Sequence, residues 1–157
     1  MGIKFAAVTS AAIIAFSGAS SSSAEASATG FQSIGNVGFS TNGLTFKVPT
    51  GCTIGHSIRG SGKRINQEWA GVTCAPPASS YLAFHKAFCN TRIDFIYKDT
   101  RNRIYSRYTG PTRRTCYGAT IPDTKLPAPR TLARYGMACA ALYISGRYIS
   151  QQCHYIN

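Results

Sequence analysis

Carboxylates are scarce in this chain: five Asp and Glu stand against seventeen Lys and Arg, for a formal charge of +12. Glycoside hydrolysis of the common kind needs two carboxylates flanking a cleft. The nearest pair, Asp94 and Asp99, lies within one predicted hairpin and its turn, so that chemistry is disfavoured. Histidine is equally thin, at His56, His85 and His154. No G-x-S-x-G elbow follows the N-terminal segment, and Gly60-Ser61-Gly62 reads as a turn rather than a nucleophile's seat. The sequence also lacks an N-x-[ST] sequon, a cysteine placed for lipidation after the leader and a C-terminal C-a-a-X box. No apolar run after residue 16 is long and charge-free, so no transmembrane segment is expected.

The N-terminus has the form of a secretory leader. Lys4 precedes the apolar run FAAVTSAAIIAF and the small-residue segment GASSSSAEASA. The run is shorter than the roughly 20 residues that a membrane span requires, and Ala24-Glu25-Ala26 and Ala26-Ser27-Ala28 both fit small-x-small cleavage. A signal peptide over residues 1–28, cut after Ala26 or Ala28, is therefore expected, leaving one domain over 29–157. Its removal takes away Lys4 and Glu25, one charge of each sign, so the charge stays at +12. The expected product is secreted, extracellular and strongly basic. Such a surface favours polyanions, with an attraction that salt screens over about 8 to 10 Å.

Six cysteines in a short exported chain read as three disulfides. If neighbours pair in order, the midpoint of Cys52 and Cys74 falls in RGSGKR, that of Cys89 and Cys116 at Asn102-Arg103, and that of Cys139 and Cys153 at Gly146. Each midpoint carries turn residues flanked by strand-forming Ile, Tyr, Phe and Val, the pattern of a hairpin. Asn42-Gly43, followed by alternating Leu44, Phe46 and Val48, signals a fourth. The expected fold is all-β: a small single domain of antiparallel hairpins stapled by disulfides 52–74, 89–116 and 139–153. Residues 17–30 read as a loose entry and APPASS (75–80) and IPDTKLPAPR as connectors. In SYLAFHKAF (80–88), Tyr81, Phe84, His85 and Phe88 would share a helical face and Leu82, Phe84 and Phe88 a strand face; the aromatic content favours a strand.

The stretch RNRIYSRYTGPTRR, residues 101–114, then falls on the second hairpin. A turn near 99–102 sets residue 98 opposite 103, 96 opposite 105 and 94 opposite 107. Ile93, Phe95, Tyr97, Ile104 and Tyr108 would share the core face, with Asp94, Lys98, Arg103, Tyr105 and Arg107 on the wet one. Asp94 would neutralise Arg107. Lys98, Arg101, Arg103, Tyr105, Arg107, Arg113 and Arg114 make up a candidate anion-binding face, because arginine forks match phosphate or sulfate and a tyrosine among them offers stacking. The plainer reading is a solvated face that keeps a sheet edge from aggregating.

The functional reading is a cationic, non-enzymatic binding protein for an anionic cell-envelope or extracellular polymer, with nucleic acid the less favoured partner. A small nuclease is the alternative: Glu68 with His85 or His154, beside the arginines, would supply base, acid and phosphate support. Against it, Glu68 reads simply as an exposed residue facing Arg59 or Lys63. A toxin or inhibitor directed at a specific protein is a third reading. Cys52-x₃-His56 and His85-x₃-Cys89 have the ligand types for zinc, but oxidised pairs are favoured in an exported chain, so no metal and no cofactor is expected.

The segments GCTIGHSIRGSGKRI, CNTRIDFIYKDT and RYGMACAALYISGRYISQQCHYI resemble a group of small secreted, cysteine-containing proteins common in actinobacteria. The resemblance covers about residues 51–156, with CN-x-RID-F and YG-x-AC as its more specific elements. It implies a secreted bacterial protein and transfers no catalytic residue.

Overall fold

A computed structural model of the protein describes residues 27–35, 38–41, 44–47, 51–76, 88–127 and 129–157. Eleven strands follow one another: β1 (Ala28–Ser33), β2 (Gly38–Thr41), β3 (Leu44–Lys47), β4 (Cys52–Ser61), β5 (Arg64–Cys74), β6 (Thr91–Asp99), β7 (Ile104–Tyr108), β8 (Thr120–Lys125), β9 (Arg130–Thr131), β10 (Gly136–Ile144) and β11 (Arg147–Ile156). Every pairing is antiparallel, so the fold is all-β, as the hairpin signals predict. No helix among the described residues is long and apolar enough to cross a membrane.

The cysteines pair as their midpoints predict: Cys52–Cys74, Cys89–Cys116 and Cys139–Cys153. Two of them join directly opposed residues, on β4–β5 and on β10–β11. The turn between the latter strands is Ser145-Gly146, with φ of 50° and 79°, the two left-handed residues that a tight hairpin with right-twisted strands demands. β2 pairs antiparallel with β3, with Thr41 opposite Leu44; Asn42-Gly43 and Val48 of the fourth hairpin signal lie outside the described residues.

One sheet runs β1-β4-β5-β8, with β9 also on β5; a second runs β11-β10-β6-β7; β2 and β3 form a third. The first two bury one shared core. Ile54, Ile58, Ile65, Val72 and Ile121 come from one side and Ile93, Phe95, Ala140, Leu142 and Ile144 from the other. Alternation along each strand sends these residues inward. Disulfides add to this core by restricting the unfolded chain.

Three expectations need correction. Residues 28–30 are not a loose entry: they begin β1, which pairs with β4 from Ala28 opposite Ile58. IPDTK is a strand rather than a connector. β8 tolerates Pro122 because it is the last strand of its sheet, and the register with β5 shifts between Ala70 and Val72 just where Pro122 and Asp123 fall; an edge position and a bulge are where proline does not interrupt a ladder. The third correction is the register of β6 and β7. Lys98 faces Ile104, Tyr97 faces Ser106 and Ile96 faces Arg107, with a bulge after Tyr97.

Asp99 causes that shift. Its carboxylate accepts the backbone N–H groups of Arg101 and Arg103, each at 3.0 Å, which holds a turn ending one residue later than a tight hairpin would. The bulge sets Ile104 opposite Lys98, where it is 53 % exposed, while Tyr105 packs inward against the core, 6.4 Å from the Tyr97 ring. Past the bulge the pairing lies two residues from the expected one, so Arg107 and Tyr108 keep their expected sides of the sheet. Asp94 does not meet Arg107. It is buried opposite Ala141, paired with Arg92 at 2.9 Å and bonded by the Gly110 N–H. Residues 80–87 of the SYLAFHKAF segment, His85 among them, lie outside the described residues, as does the leader through residue 26; Phe88 is buried and bridges Tyr117.

Candidate functional site

The arginines of residues 101–114 are strung along the edge of the second sheet. Arg103 stands beside Asp99 at one end of β6, and Arg113 exchanges two backbone hydrogen bonds with Thr91 at the other. Between them runs β7, the last strand of its sheet among the described residues. The nine residues of β6 set the length of this edge at about 26 Å at the usual strand rise. The predicted site is therefore a strip rather than a compact patch.

Its members differ in their freedom to meet a ligand. Arg103 pairs with Asp99 at 2.9 Å, and Arg134 reaches the same carboxylate at 3.3 Å. The Arg103 backbone N–H, then its guanidinium, hold the Asp99 carboxyl below its usual range. Arg113 is clasped onto β8, donating to the Pro122 and Asp123 carbonyls and to Thr124 Oγ1. It ties two sheets together. Lys98, Arg101, Arg107 and Arg114 make no ion pair among the described residues. Tyr105 donates its hydroxyl to the Arg134 carbonyl at 3.0 Å, and the Arg134 guanidinium lies 5.8 Å from its ring centre.

A cleft of about 450 Å³ opens beside β7. Tyr97, Tyr105, Ser106, Arg107 and Tyr108 form one wall, and residues 130–133 form the other. Beneath this cleft lies a group that the sequence does not announce. Glu68 is 2 % exposed, not the exposed partner of Arg59 or Lys63. Those two cations instead lie over Trp69 and Tyr135, at 5.5 and 5.4 Å from the ring centres.

Glu68 sits on β5, pointing inward, where three other strands reach it. His56 of β4 donates Nε2–H to Oε1 at 2.9 Å. Tyr97 of β6 donates its hydroxyl to Oε2 at 2.6 Å, and Arg130 of β9 pairs with the same oxygen. The Arg130 guanidinium also lies 5.1 Å from the Tyr97 ring centre. Burial, then the Glu68 charge, hold the Tyr97 hydroxyl protonated well above its ordinary range. His154 of β11 stands behind His56, with ring centres 5.0 Å apart, and donates Nε2–H to the His56 carbonyl at 2.9 Å. Burial lowers its pKa, and the neighbouring imidazole adds to the effect.

Such a buried charge cluster costs several kcal/mol of desolvation per ion before its contacts offset it. Two of its atoms stay unpartnered among the described residues, His56 Nδ1 and Arg130 Nε. Both carboxylate oxygens are occupied, and the Glu68 side chain is sealed from solvent. Of the group, Arg130 alone lines the cleft together with Tyr97; its side chain is 23 % exposed.

The structure thus links Glu68 to His154 through His56, and the Glu68 carboxylate lies behind Tyr97 and Arg130 rather than in the cleft that these two line. His56, Tyr97 and Arg130 were not among the predicted site residues. One signal bears on His56: if Cys52 and Cys74 are opposed, His56 meets residue 70 and stands diagonally across from Glu68. All six sulfurs are in disulfides, so neither cysteine of the Cys-x₃-His pairs offers a thiolate to zinc. Comparison of the chain with protein-family models, curated proteins and solved structures finds no match.

Proposed function

We propose that this is a secreted cationic binding protein, acting without catalysis, that lays an extended anionic polymer along the β7 edge. The observation that carries the reading is the line of Arg101, Arg107 and Arg114, spread over the length of β6 with no carboxylate bound to any of them. A point anion would be held by converging cations; cations in a row suit a chain of phosphates or sulfates, each arginine offering a fork to one of them. Tyr105 and Tyr108, at the cleft mouth, add ring surface. Export after cleavage at Ala26 fits the proposal, because β1 begins at Ala28 and would remain whole.

The test is the affinity of the purified protein for poly(glycerol phosphate), an anionic envelope polymer, and for an RNA oligonucleotide. Combined replacement of Arg101, Arg107 and Arg114 by Gln is expected to weaken binding at least tenfold without loss of the fold, since none of the three holds a partner. Unchanged affinity contradicts the proposal.

Nuclease activity is a second reading, favoured by the meeting of Glu68, His56, Tyr97 and Arg130 under the cleft floor. It needs Arg130 and Tyr97 to release Glu68, because a general base must reach the proton that it removes. The sealed geometry supports a different role. Glu68 fixes Arg130 at the floor of the cleft as a positioned cation.

A further inference from the structure

The outward face of the first sheet carries a second depression, of about 260 Å³, on the side of β4 and β5 opposite the core. One row across four strands builds it. Phe31 of β1 is opposite Gly55 of β4, which is opposite Gly71 of β5, and Asp123 follows on β8 where the ladder is irregular. The two glycines leave the middle of the row without side chains, and the flanking groups fold into that space. A methyl at position 55 would stand 3.0 Å from Phe31 Cε1, and one at position 71 would collide with Asp123 Oδ1. The result is an aromatic ring and a carboxylate lying side by side on a bare backbone floor.

Both are unusual in this molecule. Phe31 is 68 % exposed, although burying such a ring is worth about 1.5 to 3 kcal/mol. Asp123 is the one carboxylate among the described residues that makes no ion pair, in a chain of charge +12. Trp69, Arg59, Thr53 and Thr73 also line the depression. An exposed ring beside an acceptor and hydroxyls matches a ligand with an apolar C–H face rimmed by hydroxyl groups. The Asp123 carboxylate disfavours phosphate and sulfate, and the Arg59 guanidinium beside it, in a chain of charge +12, disfavours a cation, which leaves an uncharged ligand.

We infer that this depression is a binding site for a neutral saccharide unit, which stacks on Phe31 and donates hydroxyls to Asp123. It is separate from the β7 strip and does not depend on it. Trp69 is the sole tryptophan of the chain, so its fluorescence reports occupancy directly. The experiment titrates the disulfide-bonded protein with uncharged hexasaccharides of glucose and of N-acetylglucosamine.

Saturable change in Trp69 emission with at least one of them, insensitive to salt, is the expected result. Asp123→Ala and Phe31→Ala, at exposed positions that leave the core intact, should each weaken it at least tenfold. No saturable change with either sugar overturns the inference, as does a loss of less than tenfold in Asp123→Ala. Binding that fades as salt rises would transfer the ligand to the arginine strip and equally overturn it.

Discussion

Strands β5 and β7 carry charge in opposite ways. On β5, Glu68 is sealed and bound to His56, Tyr97 and Arg130, so its charge organises the fold around the cleft. On β7, Arg107 is exposed and unpaired, and its charge organises nothing within the molecule. Burial decides the difference. Removing one partner from a buried cluster strands the others in a low-dielectric interior, whereas an exposed arginine exchanges one solvated environment for another. The same element, charge, is architecture in one strand and available surface in the other.

The largest effect is expected at Glu68. Glu68→Gln leaves Arg130 facing a neutral amide and should cost about 3 kcal/mol or more, read as a lowered midpoint in urea unfolding with unchanged slope. A loss below about 1 kcal/mol would mean that water already reaches the cluster. Opening Cys52–Cys74 by double replacement with Ala should cost a similar 3 to 4 kcal/mol, as its 22-residue separation suggests in the chain-entropy account. Thermal unfolding of the double alanine variant beside the native protein checks it.

Smaller effects sharpen the contrast. His154 has a lowered pKa in the folded state, so the unfolded chain takes up its proton first. Stability is therefore complete above the unfolded value near 6.5 and falls as the pH drops from there towards the depressed folded value. A unfolding series from pH 7.5 to 5 should show this decline, reduced in His154→Gln. Single replacements of Arg101, Arg107 or Arg114 by Gln should change stability by less than about 0.5 kcal/mol. Each should instead lower the salt dependence of polyanion binding by about one counterion.

Much of this architecture was legible in the residues. The cysteine midpoints located three hairpins because a disulfide between opposed strands must be centred on its turn, and Ile93, Phe95 and Tyr97 were assigned inward by alternation alone. The β7 register was not legible: Asp99 lengthens the turn through two side-chain hydrogen bonds, and spacing does not reveal where a carboxylate will accept them. Glu68 was misread for a related reason. On its own strand it is one polar residue among several, and its burial follows from Tyr97 and Arg130, which lie 29 and 62 residues further on. Pro122 misled in the same way, since only sheet order shows that its strand is an edge.

The central claim is that the arginine edge binds a polyanion and that Glu68 does not cut it. The most direct measurement is a titration of labelled RNA and poly(glycerol phosphate) at several salt concentrations, with RNA length examined afterwards. Binding whose logarithm falls linearly with the logarithm of salt concentration, with RNA left at full length, is the predicted result. RNA shortened by the native protein and spared by Glu68→Gln would contradict it, as would the absence of binding to both polymers at low salt.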